Sequence, residues 1–194
     1  MSTETPDRTV APRERILATA YNLFSQRGIR DVGVDEVVSR SGVARATLYR
    51  HFPSKDDLAL AYLERREQLW TRELVQAEAL RRGSTPEEQL LAIFDVFDEW
   101  FTAAEPFEAC SFVRAMLEMG PEHPVGRASI RHLDHIRTFV NELATQAGLR
   151  EPAAFTGSWM ILMRGSIIVA AEGDTGAAQH AKAMALCLID RHRP

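Results

Sequence analysis

Apolar residues recur at helical spacing along most of the chain, and nowhere alternate for long enough to indicate a strand. Ile16, Leu17, Ala20, Leu23 and Phe24 form the first stripe, with Pro12 in its opening turn and Gly28 as its stop. Val34, Val37 and Val38 mark the buried face of a short helix over about 34–41. A third helix, about 45–51, turns Leu48 and Phe52 inward, and Pro53-Ser54 ends it. Ser54 then suits the N-cap of a long helix from Lys55 to about Arg82, carried by Leu58, Leu60, Tyr62, Leu63, Leu69, Trp70 and Leu74. Gly83-Ser84 closes it.

Thr85-Pro86-Glu87-Glu88 starts the next helix, with an N-cap, a proline at the first position and acidic residues in the first turn. It carries Leu90, Leu91, Ile93, Phe94, Phe97, Trp100 and Phe101. A loop near Ala104–Ala109 and a short helix over about 110–119 follow, then a helix over about 125–147. Two strongly apolar helices, about 152–172 and 177–191, complete the chain. A surface helix shows a single apolar stripe, whereas these two are apolar around most of their circumference. They therefore require partners on two sides: their own core and a second copy of the chain. The expected fold is all-α, with about nine helices and no repeat.

Composition adds little to that picture: 45% hydrophobic and 26% charged residues are ordinary for a globular chain. No uninterrupted apolar run reaches the roughly 18–20 residues of a membrane span. The richest one, Trp159–Ala171, is broken by Arg164. Met1–Ala11 is polar, has no signal-peptide core and reads as a disordered arm. Cys110 and Cys187 are too far apart for a metal-binding spacing, and reduced thiols in a cytoplasmic protein are expected. The net charge of −4 is unevenly spread: residues 1–60 hold nine Arg/Lys and eight Asp/Glu, the remainder fourteen and nineteen. Arg40, Arg45, Arg50 and Lys55 stand in a stretch, 39–55, without an acidic residue. A local basic face of this kind suits phosphate contact despite the acidic total.

That basic stretch coincides with two short helices joined by a tight turn at Ser41-Gly42-Val43, the pattern of a helix-turn-helix whose second helix lies in the DNA major groove. Gly42 fits the turn because positive φ is cheapest for glycine. Arg45 suits bidentate contact with a guanine edge, and Tyr49 a thymine methyl. Thr47 and Lys55 suit phosphate oxygens, and Arg50 reads as a phosphate contact or a solvated residue before it reads as a base reader. No nucleophile triad, phosphate-binding glycine loop or paired-carboxylate motif is present, so an enzyme is not expected and no cofactor is implied.

The residues Ile16-Leu17, Ala20, Leu23-Phe24 and Gly28, then Val34-Asp35-Glu36-Val37-Val38, Ser41-Gly42-Val43, Thr47-Leu48-Tyr49, His51-Phe52, Ser54-Lys55 and Leu58 resemble the tetracycline-repressor (TetR) family of bacterial regulators. The resemblance covers about Pro12–Leu60. It implies a helix-turn-helix DNA-binding domain over 12–58 and a ligand-binding and dimerisation bundle over 59–194. It also implies a homodimer on a palindromic operator, paired through the last two helices. Carried over by position, Arg45, Ala46 and Tyr49 approach bases, while Thr47, His51 and Lys55 approach phosphates. Val34 departs from the threonine common at its position, and Val38 from the alanine common at its own.

An effector site is expected among the aromatic and methionine side chains of the bundle: Phe97, Trp100, Phe101, Cys110, Phe112, Met116, Phe139, Trp159 and Met163. Core packing is the plainer reading of the same stripe. If these residues line a pocket, its ligand is apolar or aromatic. Cys110 reads first as a small hydrophobe and second as a redox sensor. His132 and His135, three apart on one helix, have a spacing able to hold a metal. No firm partner ligand stands near them, so a solvated helix face is the expectation. The rival to a DNA-binding regulator is a helical small-molecule-binding or scaffolding protein without operator binding.

Overall fold

The computed structural model describes residues 10–103 and 109–194. Except for their last residues, the expected arm at Met1–Ala11 and the loop near Ala104–Ala109 lie outside the described residues. In chain order the helices are α1 Pro12–Arg27, α2 Val34–Ser41, α3 Arg45–His51, then α4 in three successive segments, Lys55–Arg66, Glu67–Gln76 and Ala77–Arg82. There follow α5 Pro86–Thr102, α6 Ser111–Met119, α7 Pro124–Gln146, α8 Pro152–Ala171 and α9 Ala177–His192. The described residues thus form nine helices and no strand, the all-α expectation.

Helix ends fall where local chemistry places them. Ser54 Oγ accepts from the Asp57 amide at 3.1 Å, and the Ser54 amide donates to Asp57 Oδ2 at 3.0 Å. Thr85 and Glu88 make the same reciprocal pair at the start of α5. Each pair satisfies amides that the first turn leaves without partners. Gly42 takes the left-handed conformation, with φ 63°, between α2 and α3. One feature of α4 departs from expectation: its middle segment, Glu67–Gln76, is π-helical rather than α-helical. Such segments are rare and concentrate at functional positions.

The chain divides into two compact units. The first joins the residues up to Arg66 with Ser111–Ile130. Ile16, Ala20, Phe24, Val37, Leu48, Leu58 and Tyr62 are buried in it. Val37 alone of the three α2 valines is fully buried; Val34 and Val38 are half-buried. α6 is tied to this unit by polar bonds. Glu118 Oε2 accepts from the Ile29 amide at 2.8 Å, and Arg114 Nη1 donates to the Ser25 carbonyl at 2.7 Å. A Cβ at Gly28 would collide with the Glu118 carboxylate, and φ there is +89°. Glu118→Ala, which leaves the part-buried Ile29 amide without its acceptor, is expected to lower the unfolding free energy by about 1–3 kcal/mol. Urea denaturation followed by circular dichroism measures this.

The second unit comprises Glu67–Cys110 and Arg131–Pro194. Its core joins Val75, Leu90, Phe94, Phe97, Ile136, Val140, Phe155, Trp159 and Ile189, among others. α9 packs on both α8 and α5, and the last segment of α4 packs on α5. Aromatic rings interlock, Phe94 with Trp159 at 5.2 Å and Trp70 with Trp100 at 4.9 Å between centroids. Pro152–Ala171 is long and apolar enough to cross a membrane by length and composition. It directs Phe155, Trp159, Met160, Met163 and Ile167 into this core, while Ile161, Ile168 and Val169 remain exposed.

Candidate nucleic-acid interface

α3 is held from beneath by Leu48, which is fully buried, and by Phe52 at its end, over whose ring the Arg13 guanidinium lies at 5.2 Å. With these two residues turned inward, a seven-residue helix presents Arg45, Ala46, Tyr49 and Arg50 to solvent. Thr47, His51 and Lys55 stand half-buried at its margins. The seven residues expected to meet DNA therefore occupy one helix and the first position of the next. Of the exposed four, Arg45, Ala46 and Tyr49 are those expected to approach bases, while Arg50 and the half-buried Thr47, His51 and Lys55 are those expected to approach phosphates.

Two of the cations are already engaged within the chain. Arg45 Nη1 pairs with Asp35 at 2.5 Å, and its guanidinium lies 5.7 Å from the Tyr49 ring centre. The bond with Tyr49, and then the charge of Asp35, raise the Arg45 pKa above the usual arginine value. Lys55 Nζ donates to the Arg30 carbonyl at 3.3 Å, and partial burial lowers its pKa below the usual lysine value. On α2, Glu36 bridges Arg27 at 2.7 Å and Arg40 at 2.9 Å. These exposed pairs are individually weak.

In unit two, Phe97, Phe101, Trp159 and Met163 are core members, with Trp100, Cys110 and Phe139 packed against them. Phe112 and Met116 belong to unit one. Open clefts of this unit include one of about 520 Å³ lined by Arg150, Ser158, Arg191 and His192, and one of about 320 Å³ lined by Ile161, Leu162, Met184 and Cys187. A third, of about 280 Å³, is lined by Glu67, Arg72, His135 and Phe139. Of the pocket candidates, Phe139 alone lines any of these three.

The expected solvated face at His132 is corrected by the fold. His132 is 8% exposed because α7 faces Glu67 of α4, itself 1% exposed. Burial pushes the Glu67 carboxyl up, but hydrogen bonds and charge from His132 and His135 outweigh it and hold the carboxyl below its usual range. Sequence spacing shows the two histidines but not this partner. A usable signal was the four-residue series Leu63, Glu67, Thr71 and Val75, which is buried throughout.

A profile described as bacterial regulatory proteins of the tetR family matches residues 16–62. In three dimensions the chain is similar to a TetR-family transcriptional regulator from Streptomyces coelicolor, with 30% identity and a TM-score of 0.86 over 93% of this chain and 95% of that one. It is 33% identical over 107 residues to an uncharacterized HTH-type transcriptional regulator of Mycobacterium tuberculosis, a match covering 51% of this chain and 53% of the relative. It is 44% identical over 50 residues to the M. tuberculosis regulator EthR, covering 26% and 23% respectively. The chain thus spans about half the length, or less, of these two curated relatives.

Proposed function

The chain belongs to the TetR family of bacterial transcriptional regulators, and from that premise we propose that it is a ligand-responsive repressor acting on a palindromic operator as a homodimer. The observation that carries this reading is the exposed face of α3, where Arg45, Ala46, Tyr49 and Arg50 stand clear of a helix anchored by Leu48. Residues 12–58 are the proposed DNA-binding domain and 59–194 the ligand-binding and dimerisation domain. One recognition helix reads too few base pairs for a useful site. Two copies about 34–36 Å apart, one turn of DNA, read a site of sufficient length. The exposed Ile161, Ile168 and Val169 of α8 and Met184 and Leu186 of α9 support pairing of these helices with a second copy.

A small apolar or aromatic effector, held among the aromatic residues of the bundle, then favours a dimer whose recognition helices no longer match that spacing. Such a ligand lowers DNA affinity only as far as it prefers the non-binding state. The reading places the protein in the cytoplasm with its operator.

Electrophoretic mobility shift of palindromic duplexes from the region upstream of the gene tests the proposal. Affinity is expected to fall steeply with salt, log K declining by about 0.9 per neutralised phosphate for each unit of log salt. A slope near zero, or no retardation of any upstream duplex, overturns it in favour of a small-molecule-binding or scaffolding protein.

A further inference from the structure

We infer that Glu67, His132 and His135 form a binding site for a divalent transition-metal ion of the zinc type, independent of the DNA-binding reading. Glu67 opens the π-helical segment of α4, and the two histidines lie one turn apart on the same face of α7. Both imidazoles direct Nδ1 at the carboxylate: His135 Nδ1 is 2.9 Å from Oε1, and His132 Nδ1 is 3.6 Å from Oε2. One donor atom from each residue lies within 4.8 Å of the other two. A tetrahedral ion with bonds of about 2.0–2.1 Å separates its ligands by roughly 3.3 Å, so side-chain adjustments of about an ångström close the site.

The donor set selects the kind of ion. Two imidazole nitrogens and one carboxylate oxygen suit zinc and its first-row neighbours, whereas calcium and magnesium take oxygen ligands and copper(I) takes sulfur. Three protein ligands leave one position open. The cleft of about 280 Å³ lined by Glu67, His135, Gln76 and Glu142 brings water to it. A second observation points the same way: Glu67 Oε2 is buried, and its neighbour His132 Nδ1, at 3.6 Å, stands beyond a close hydrogen bond. A buried carboxylate oxygen left so is costly, and a cation supplies what it lacks. Arg72 Nε, 3.5 Å from Oε1, competes for the carboxylate, but its side chain is half-exposed and free to turn into solvent. A bound ion would join the π-helical segment to α7 within unit two.

The untagged full-length chain, stripped with a chelator, is titrated with Zn²⁺ by calorimetry and with Co²⁺ by absorption. The expected result is one ion per chain, a Co²⁺ spectrum of nitrogen and oxygen coordination, and a rise in Tm with Zn²⁺. His135→Ala removes the 2.9 Å partner of the buried Glu67 carboxylate, so a lower metal-free Tm is expected in a chain that circular dichroism shows to be folded; against that baseline it is expected to weaken Zn²⁺ binding by about tenfold or more and to abolish the rise in Tm on adding Zn²⁺. The inference is overturned if the parent chain takes up no ion, or if His135→Ala binds equally well. It is also overturned if a thiolate-to-cobalt charge-transfer band shows that the cysteines hold the metal.

Discussion

An Ile161→Glu, Met184→Glu double variant is expected to be a folded monomer whose operator affinity has fallen by at least about a hundredfold. Ile161 is 73% and Met184 60% exposed, and both line the same cleft between α8 and α9. Charges there cost little in a single copy, since the side chains already face solvent. In the proposed dimer the same positions meet their symmetry mates, so each substitution enters the interface twice and must be desolvated without a counter-ion. Only the second half-site contact is lost, yet it supplies much of the gap between specific and non-specific binding. Sedimentation velocity with circular dichroism reads mass and fold, and a mobility shift reads affinity. A variant that remains dimeric, or binds as a monomer with parent affinity, removes α8 and α9 as the interface.

Arg45→Ala and Tyr49→Ala are each expected to weaken operator binding while leaving stability unchanged. A bidentate arginine–guanine contact is worth about 1–3 kcal/mol, and a dimer makes it twice, so Arg45→Ala should cost about 2–6 kcal/mol of binding. Its loss should also relax preference at one base pair in each half-site. Tyr49 is expected to act in two ways, through its proposed base contact and through the Arg45 guanidinium, which lies 5.7 Å from its ring centre. The two effects should therefore be less than additive in the double variant. Fluorescence anisotropy on operator and scrambled duplexes separates the cases: equal losses on both duplexes would make these residues phosphate contacts rather than base readers.

Much of unit one was legible because its determinants are local. Gly42 must sit at a left-handed turn, Ser54 must cap the helix that follows it, and Leu48 must face inward if Arg45 and Tyr49 face out. Each of these follows from residues within about a turn of one another, where backbone sterics and hydrogen bonding act without reference to the remainder of the chain. The twin apolar sides of α8 were equally visible. The π-helical stretch of α4 was not, because its residues have ordinary helical spacing and propensity.

What sequence alone determined, then, is the set of nine helices, their ends, and the face of α3 that carries arginine, tyrosine and threonine. Tertiary structure decided which helices share a core. It attached α6 to the end of α1 and the turn after it through Arg114 and Glu118, each reaching a backbone group 89 positions away. It also brought Glu67 to His135 across 68 positions, turning an expected solvated face into a cluster of possible ligands. The reason is the same in both cases. Helical periodicity states that a side chain is buried but not what it is buried against, since many helix pairings satisfy the same apolar stripe. Only packing of the whole chain selects one partner for each polar group that the core encloses.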